Sequence, residues 1–185
     1  MKRFVSVLVL SVALVPGAAL AQGVSEEPIG NLAELMRGIM FVNANKLFDA
    51  QAVEPGTVPV PEMDSDTRDA VSALIGSASS RFAAIYRGWP EVAGAAASLA
   101  DGAKLALIEG RVCDNGETVP VADAAYIEGA RLLEESATNA LNAAREENWD
   151  GVWEAVNYVN ESCTHCHKTY RDGPDSRQEP RCQSQ

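Results

Sequence analysis

The chain has 185 residues, with 26 acidic against 15 basic side chains, a formal net charge of −11 and only 6% aromatic residues. That balance argues against nucleic acid and against anionic membrane surfaces as partners, and favours a basic docking partner or none. The length fits one domain with a sizeable core.

The N-terminus reads Met1-Lys2-Arg3, then an apolar run from Phe4 to Val15, a break at Pro16-Gly17, and Ala19-Leu20-Ala21 before Gln22. This is the pattern of a secretory signal peptide, residues 1–21, cleaved after Ala21; the run is shorter than the roughly 20 residues a membrane-spanning helix needs. Cleavage leaves a domain of 164 residues, 22–185, with 13 basic against 26 acidic residues, a net of −13. No later run is long and apolar enough to span a bilayer, so the mature chain is expected to be soluble and periplasmic.

Abundant alanine and a 3.6-residue apolar period predict an all-α domain. Helix 1 is predicted from near Asn31 to Ala52, with Leu32, Leu35, Met36, Ile39, Met40 and Leu47 on one face. Pro55, Pro59 and Pro61 exclude its continuation. From Asp64 to Gly88 the spacing of Val71, Leu74, Ile75, Phe82 and Ile85 is helical but interrupted by Gly76 and serines, which reads as an inserted helical excursion. Helix 2 is predicted from Trp89-Pro90 to about Ile108, with Pro in a first turn that tolerates its missing N–H. A loop with Cys113 and the turn Asp114-Asn115-Gly116 follows.

Helix 3 is predicted over about Ala122 to Glu147, burying Tyr126, Ala130, Leu133, Ala137, Leu141 and Ala144. Helix 4 is predicted from about Asp150 to Tyr170, before a polar tail. Four amphipathic helices predict a four-helix bundle, with the extra helical excursion between helices 1 and 2. Trp149 and Trp153 bracket the start of helix 4 and are expected to pack the far end of that bundle.

The chemistry lies in Cys163-Thr164-His165-Cys166-His167. In this spacing each thiol adds across a vinyl group of a haem, and the adjacent imidazole meets the iron. Val152, Val156, Val159, Cys163, Cys166 and Tyr170 follow one another in steps of four and three, so both cysteines belong to the seam that faces the bundle. Two other readings are a Cys-x-x-Cys redox disulfide and a zinc site built on Cys163, Cys166 and the histidines. The first lacks an alternating strand and helix pattern, and the second lacks another paired ligand motif. His165 points away from His167 and is expected to face solvent, and Tyr170 to be a core aromatic with its hydroxyl at the bundle end.

The ending Cys163-Thr164-His165-Cys166-His167-Lys168-Thr169-Tyr170-Arg171, on the last helix of an exported four-helix chain, resembles the cytochrome c-prime family and its low-spin relatives. The excursion at 64–88, the Cys113 loop and the Cys182 tail depart from that family's pattern and mark a divergent branch. The resemblance implies one covalently attached haem c within the bundle. It also implies that Arg171 lies beside the haem on the proximal side, tuning His167 or pairing with a propionate; the alternative is a helix-end cation that complements the helix dipole.

In that family the residue opposite the histidine comes from helix 1. An aliphatic residue there leaves iron five-coordinate and open to nitric oxide or carbon monoxide, whereas methionine makes it six-coordinate and suited to electron transfer. Met36 and Met40 are the candidates, one turn apart. Met36, fifteen residues into the mature chain, is the expected ligand, and the alternative is that both fill the core. The expected function is that of a periplasmic single-electron carrier rather than an enzyme, with a gas-binding cytochrome as the alternative. Its partners would be redox proteins with a basic docking surface, and a homodimer is left open. Cys113 and Cys182, the two cysteines outside the motif, are expected to pair in an oxidising compartment.

Overall fold

The computed structural model describes residues 27–57, 87–171 and 182. The expected signal peptide at 1–21, the excursion at 64–88 as far as residue 86, and the tail from 172 apart from Cys182 lie outside the described residues. Those described form an all-α bundle of four long helices, and the one β-bridge joins Val112 to Thr118.

Helix α1 is three contiguous stretches: Leu32–Leu35, a π-helical turn Met36–Met40, and Phe41–Ala52. It begins at Asn31, whose side chain accepts from the Glu34 backbone N–H while the Glu34 carboxylate accepts from the Asn31 N–H, each at 2.8 Å. In the π turn the Phe41 N–H reaches back to the Met36 carbonyl. Of the predicted apolar face, Leu32, Leu35, Met40 and Leu47 are buried, whereas Met36 and Ile39 are half-buried. After Ala52 the chain turns through Pro55–Thr57, a short 3-10 segment.

Helix α2, Trp89–Ala106, starts at Gly88 and carries Pro90 in its first turn, as the sequence predicts. Gly88 has φ 76, and a Cβ there would stand 3.1 Å from the Pro55 carbonyl oxygen; one at Gly56 would stand 3.0 Å from the Trp89 indole nitrogen. The chain therefore leaves α1 and arrives at α2 at one place. Ala95, Ala96, Leu99 and Ala103 bury the inner face of α2.

Helix α3, Ala124–Arg145, is two residues shorter at each end than predicted. Asp123 caps its start, and the chain at its end turns left-handed at Glu147, φ 53. There the Asn148 N–H bonds the Ala143 carbonyl at 2.9 Å and the Glu147 N–H bonds that of Ala144 at 3.2 Å, a Schellman ending with Glu in the position that glycine usually takes. Helix α4, Trp149–Tyr170, follows at once, with the Asn148 side chain accepting from the Gly151 N–H at 3.0 Å.

The helices run alternately up and down, with neighbours α1–α2, α2–α3, α3–α4 and α4–α1. At one end the Trp149 indole N–H donates to the Ala50 carbonyl at 2.7 Å, and the Gln51 amide donates to the Trp153 carbonyl and to Asn157. Trp149 thus packs this end, but the Trp153 ring does not; it is 49% exposed, and only its backbone takes part. The opposite end gathers the start of α1, the end of α2, the start of α3 and the end of α4. No helix among the described residues is long and apolar enough to cross a membrane.

Candidate functional site

The last turns of α4 carry the motif. Cys163 and Cys166 are half-buried and pack against the core formed by the helices, His167 is half-buried, and His165 is exposed. The cysteine seam points inward because Val152, Val156 and Val159 below it are fully buried. On the facing side α3 presents Gly129, and the Cys166 sulfur occupies the place where a side chain at Gly129 would begin.

The end of α4 is fixed by two aromatic contacts. Tyr126 and Tyr170 meet edge to face with ring centroids 5.1 Å apart. The Tyr126 hydroxyl donates to the Ala106 carbonyl at 3.2 Å, and the Tyr170 hydroxyl donates to Asp123 at 2.8 Å. Asp123 uses its other carboxylate oxygen to accept from the Ala125 N–H at 2.9 Å, so one side chain caps α3 and pins α4. Tyr170 is accordingly a core aromatic with its hydroxyl bonded at the bundle end.

Burial raises the pKa of the Cys163 thiol, and burial followed by the neighbouring Cys163 pushes Cys166 up to about 11. His167 is lowered from its ordinary value by burial first and the Arg171 cation second. At neutral pH the segment therefore holds two neutral thiols beside a neutral imidazole. Attacking thiols of redox Cys-x-x-Cys motifs have lowered pKa values, the opposite of this arrangement. Free thiols, rather than a disulfide, are what a haem vinyl group takes up, and the imidazole lone pair is what ligates iron. Arg171, exposed just beyond α4, is close enough to act on His167 electrostatically.

The hydrogen bonds that join α1 and α4 lie at the far end, on Ala50 and Gln51. The first half of α1 is instead held from the other side. Leu32 N–H bonds the Val112 carbonyl at 2.8 Å, and Arg111 reaches the Gly30 carbonyl at 2.6 Å. Among the described residues no hydrogen bond joins α1 to α4 near the motif, and Phe41 of α1 is 67% exposed. With a rise of about 1.5 Å per residue in both helices, counting from Gln51 beside Trp153 and Asn157 sets Met36 and Met40 level with the motif. The last turns of α4 thus carry two partly buried thiols and an imidazole, the donor set of the group that the motif implies.

Met40 is buried, with its sulfur against Gly102 of α2, and Met36 is half-buried and packs against the core. Among the described residues no three His, Cys, Asp or Glu side chains converge to hold a bare metal ion. A haem requires only His167 from this segment, since the thiols bind the porphyrin.

Beside the site, Cys113 and Cys182 stand at disulfide distance with Cα atoms 5.9 Å apart, as their parity suggests. Arg111, next to that loop, is 5% exposed; its guanidinium donates to the carbonyls of Leu105 and Gly30 and so ties the end of α2 to the start of α1.

Asp123, Gly102, Arg111 and Gly129 escaped the sequence reading. The two glycines do carry a signal, since each interrupts a helix pattern where glycine is costly and so marks a close approach. Asp123 just ahead of an apolar-periodic run is an N-cap pattern. No protein-family model, no curated protein and no solved structure matches this chain.

Proposed function

We propose that this chain is an exported, periplasmic c-type cytochrome that carries single electrons, with one haem attached through Cys163 and Cys166 and ligated by His167. The observation that carries this reading is the motif's placement: two free, partly buried thiols that pack against the core and a partly buried imidazole, together on the last turns of α4. Bound there, haem would supply a one-electron iron couple.

The chain's own residues have distinct parts. Cys163 and Cys166 hold the ring to α4, and His167 orients it. Tyr170 and Asp123 fix the helix end that carries all three. Gly129 gives Cys166 its room. Arg171 adds positive charge on the His167 side. A divergent relationship to the cytochrome c-prime family, with Met36 as sixth ligand, belongs to the same proposal, as does a redox partner that offers a basic face to this acidic chain.

A gas-binding reading draws on one observation, the seating of Met40 on α2, because it leaves only half-buried Met36 to compete for the iron. Rapid carbon monoxide binding by the reduced wild-type protein would favour it.

The test of the main proposal is to export the chain in a haem-attaching host and extract it with acidified organic solvent. The protein should keep its haem, and replacing both Cys163 and Cys166 with Ala should abolish retention. A wild type that never acquires haem, or a double variant that keeps it, refutes the proposal.

A further inference from the structure

Gly102 lies deep in α2, where glycine is the least favourable residue after proline. A methyl group at this position would stand 2.8 Å from the Met40 sulfur, 3.1 Å from its terminal methyl and 3.3 Å from Cγ2 of Ile39. The bare backbone of Gly102 is therefore the floor on which the buried Met40 thioether rests. Met36 has no such seat and is half-buried.

The π turn separates the two methionines further. Its extra residue rotates everything before it by about 100° relative to the rest of α1. The reference is Gln51, whose amide faces α4. In an unbroken α-helix Met36 would turn inward and towards α2. With the π turn it lies about 40° beyond Gln51 on the side away from α2.

We propose that Gly102 is a positioning residue for the sixth iron position: by seating the Met40 thioether on α2 it withdraws that sulfur, and the π turn leaves Met36 as the one methionine presented to iron. This rests on the haem reading above. The alternative is that Gly102 only lets α1 and α2 approach closely.

The experiment compares haem-loaded wild type with Met36→Ala, Met40→Ala, Gly102→Ala and the double variant Gly102→Ala/Met40→Ala. Three quantities are read: the methionine methyl resonance of the reduced protein with labelled methionine, the near-infrared band of the oxidised protein, and the midpoint potential. Failure of the wild type to hold haem would sink the cytochrome reading itself, so haem retention is checked first. The wild type should show one ring-current-shifted methyl, lost in Met36→Ala and kept in Met40→Ala. Gly102→Ala should push Met40 off its seat and change the resonance and the potential, and adding Met40→Ala should restore the wild-type signals. If haem is held but no methionine signal exists, or Met40→Ala rather than Met36→Ala removes it, the inference is overturned. A folded Gly102→Ala with wild-type spectrum and potential overturns it equally. Should Gly102→Ala fail to accumulate, the double variant decides, since wild-type signals there support the proposal and altered ones refute it.

Discussion

The Cys166 sulfur and Gly129 are in direct contact across α3 and α4, with the thiol in the space a side chain at 129 would need. Two effects oppose each other in Gly129→Ala. Alanine gains about 1 kcal/mol of helix preference, while overpacking costs about 1–3 kcal/mol and lands on the attachment cysteine. The expected result is a lower thermal midpoint and a smaller fraction of chains with both thioether bonds, read by mass spectrometry of the haem peptide. A more stable variant with full attachment would show that Cys166 does not need the space.

The Tyr170 to Asp123 hydrogen bond predicts pH dependence at both ends of the scale. Asp123 is held below its ordinary 3.8, first by Tyr170 and then by the Ala125 N–H. A depressed carboxyl stabilises above its unfolded value, and that stability is lost as pH falls through the lower folded value. Tyr170→Phe should therefore be less stable than wild type at neutral pH, with the gap closing in acid below 3.8. Tyr170 itself is pushed up from 10.0 to about 12, by burial and then by Asp123. A raised phenol stabilises below its unfolded value, so stability should fall between pH 10.0 and about 12. Ultraviolet titration of tyrosinate alongside denaturant melts checks both, and an Asp123 carboxyl titrating at its ordinary value would contradict the acid arm.

Cys113 and Cys182 are 69 residues apart in sequence. A bridge over such a loop contributes about 4 kcal/mol in the chain-entropy account. Non-reducing peptide mapping should recover the two in one linked fragment, and Cys113→Ser should lower stability by an amount of that order. Complete alkylation of both without reductant would refute the bridge.

Glu147 occupies a left-handed position, φ 53, at the end of α3. A side chain in that conformation costs about 1 kcal/mol that glycine does not incur. Glu147→Gly should raise stability by about that amount, measured by chemical denaturation. A loss would mean that the Glu147 side chain contributes more than its backbone costs.

The four helices were legible because their apolar periods are long and boundary signals such as Pro55 and Pro90 act within a few residues. The motif was legible because its five residues are contiguous and their step pattern continues the Val152, Val156, Val159 seam. The π turn was not, since Leu32, Leu35, Met36, Ile39, Met40 and Leu47 also fit an ordinary α period, and only the packing of α1 against α2 selects among registers. Asp123 reaching Tyr170, and Gly102 receiving Met40, are meetings between residues far apart in the chain. Local pattern carries no record of such meetings.

Pro55 and Gly88 lie against each other at the far end of the bundle, with 29 residues, 58–86, strung between their flanks. Both ends of that stretch are therefore held at one point by α1 and α2, whatever its length. Loop closure cost rises only with the logarithm of length, roughly 0.6 kcal/mol per doubling. The junction itself thus sets how the two helices meet at this end, and changing the number of residues strung between its flanks carries only a small closure cost.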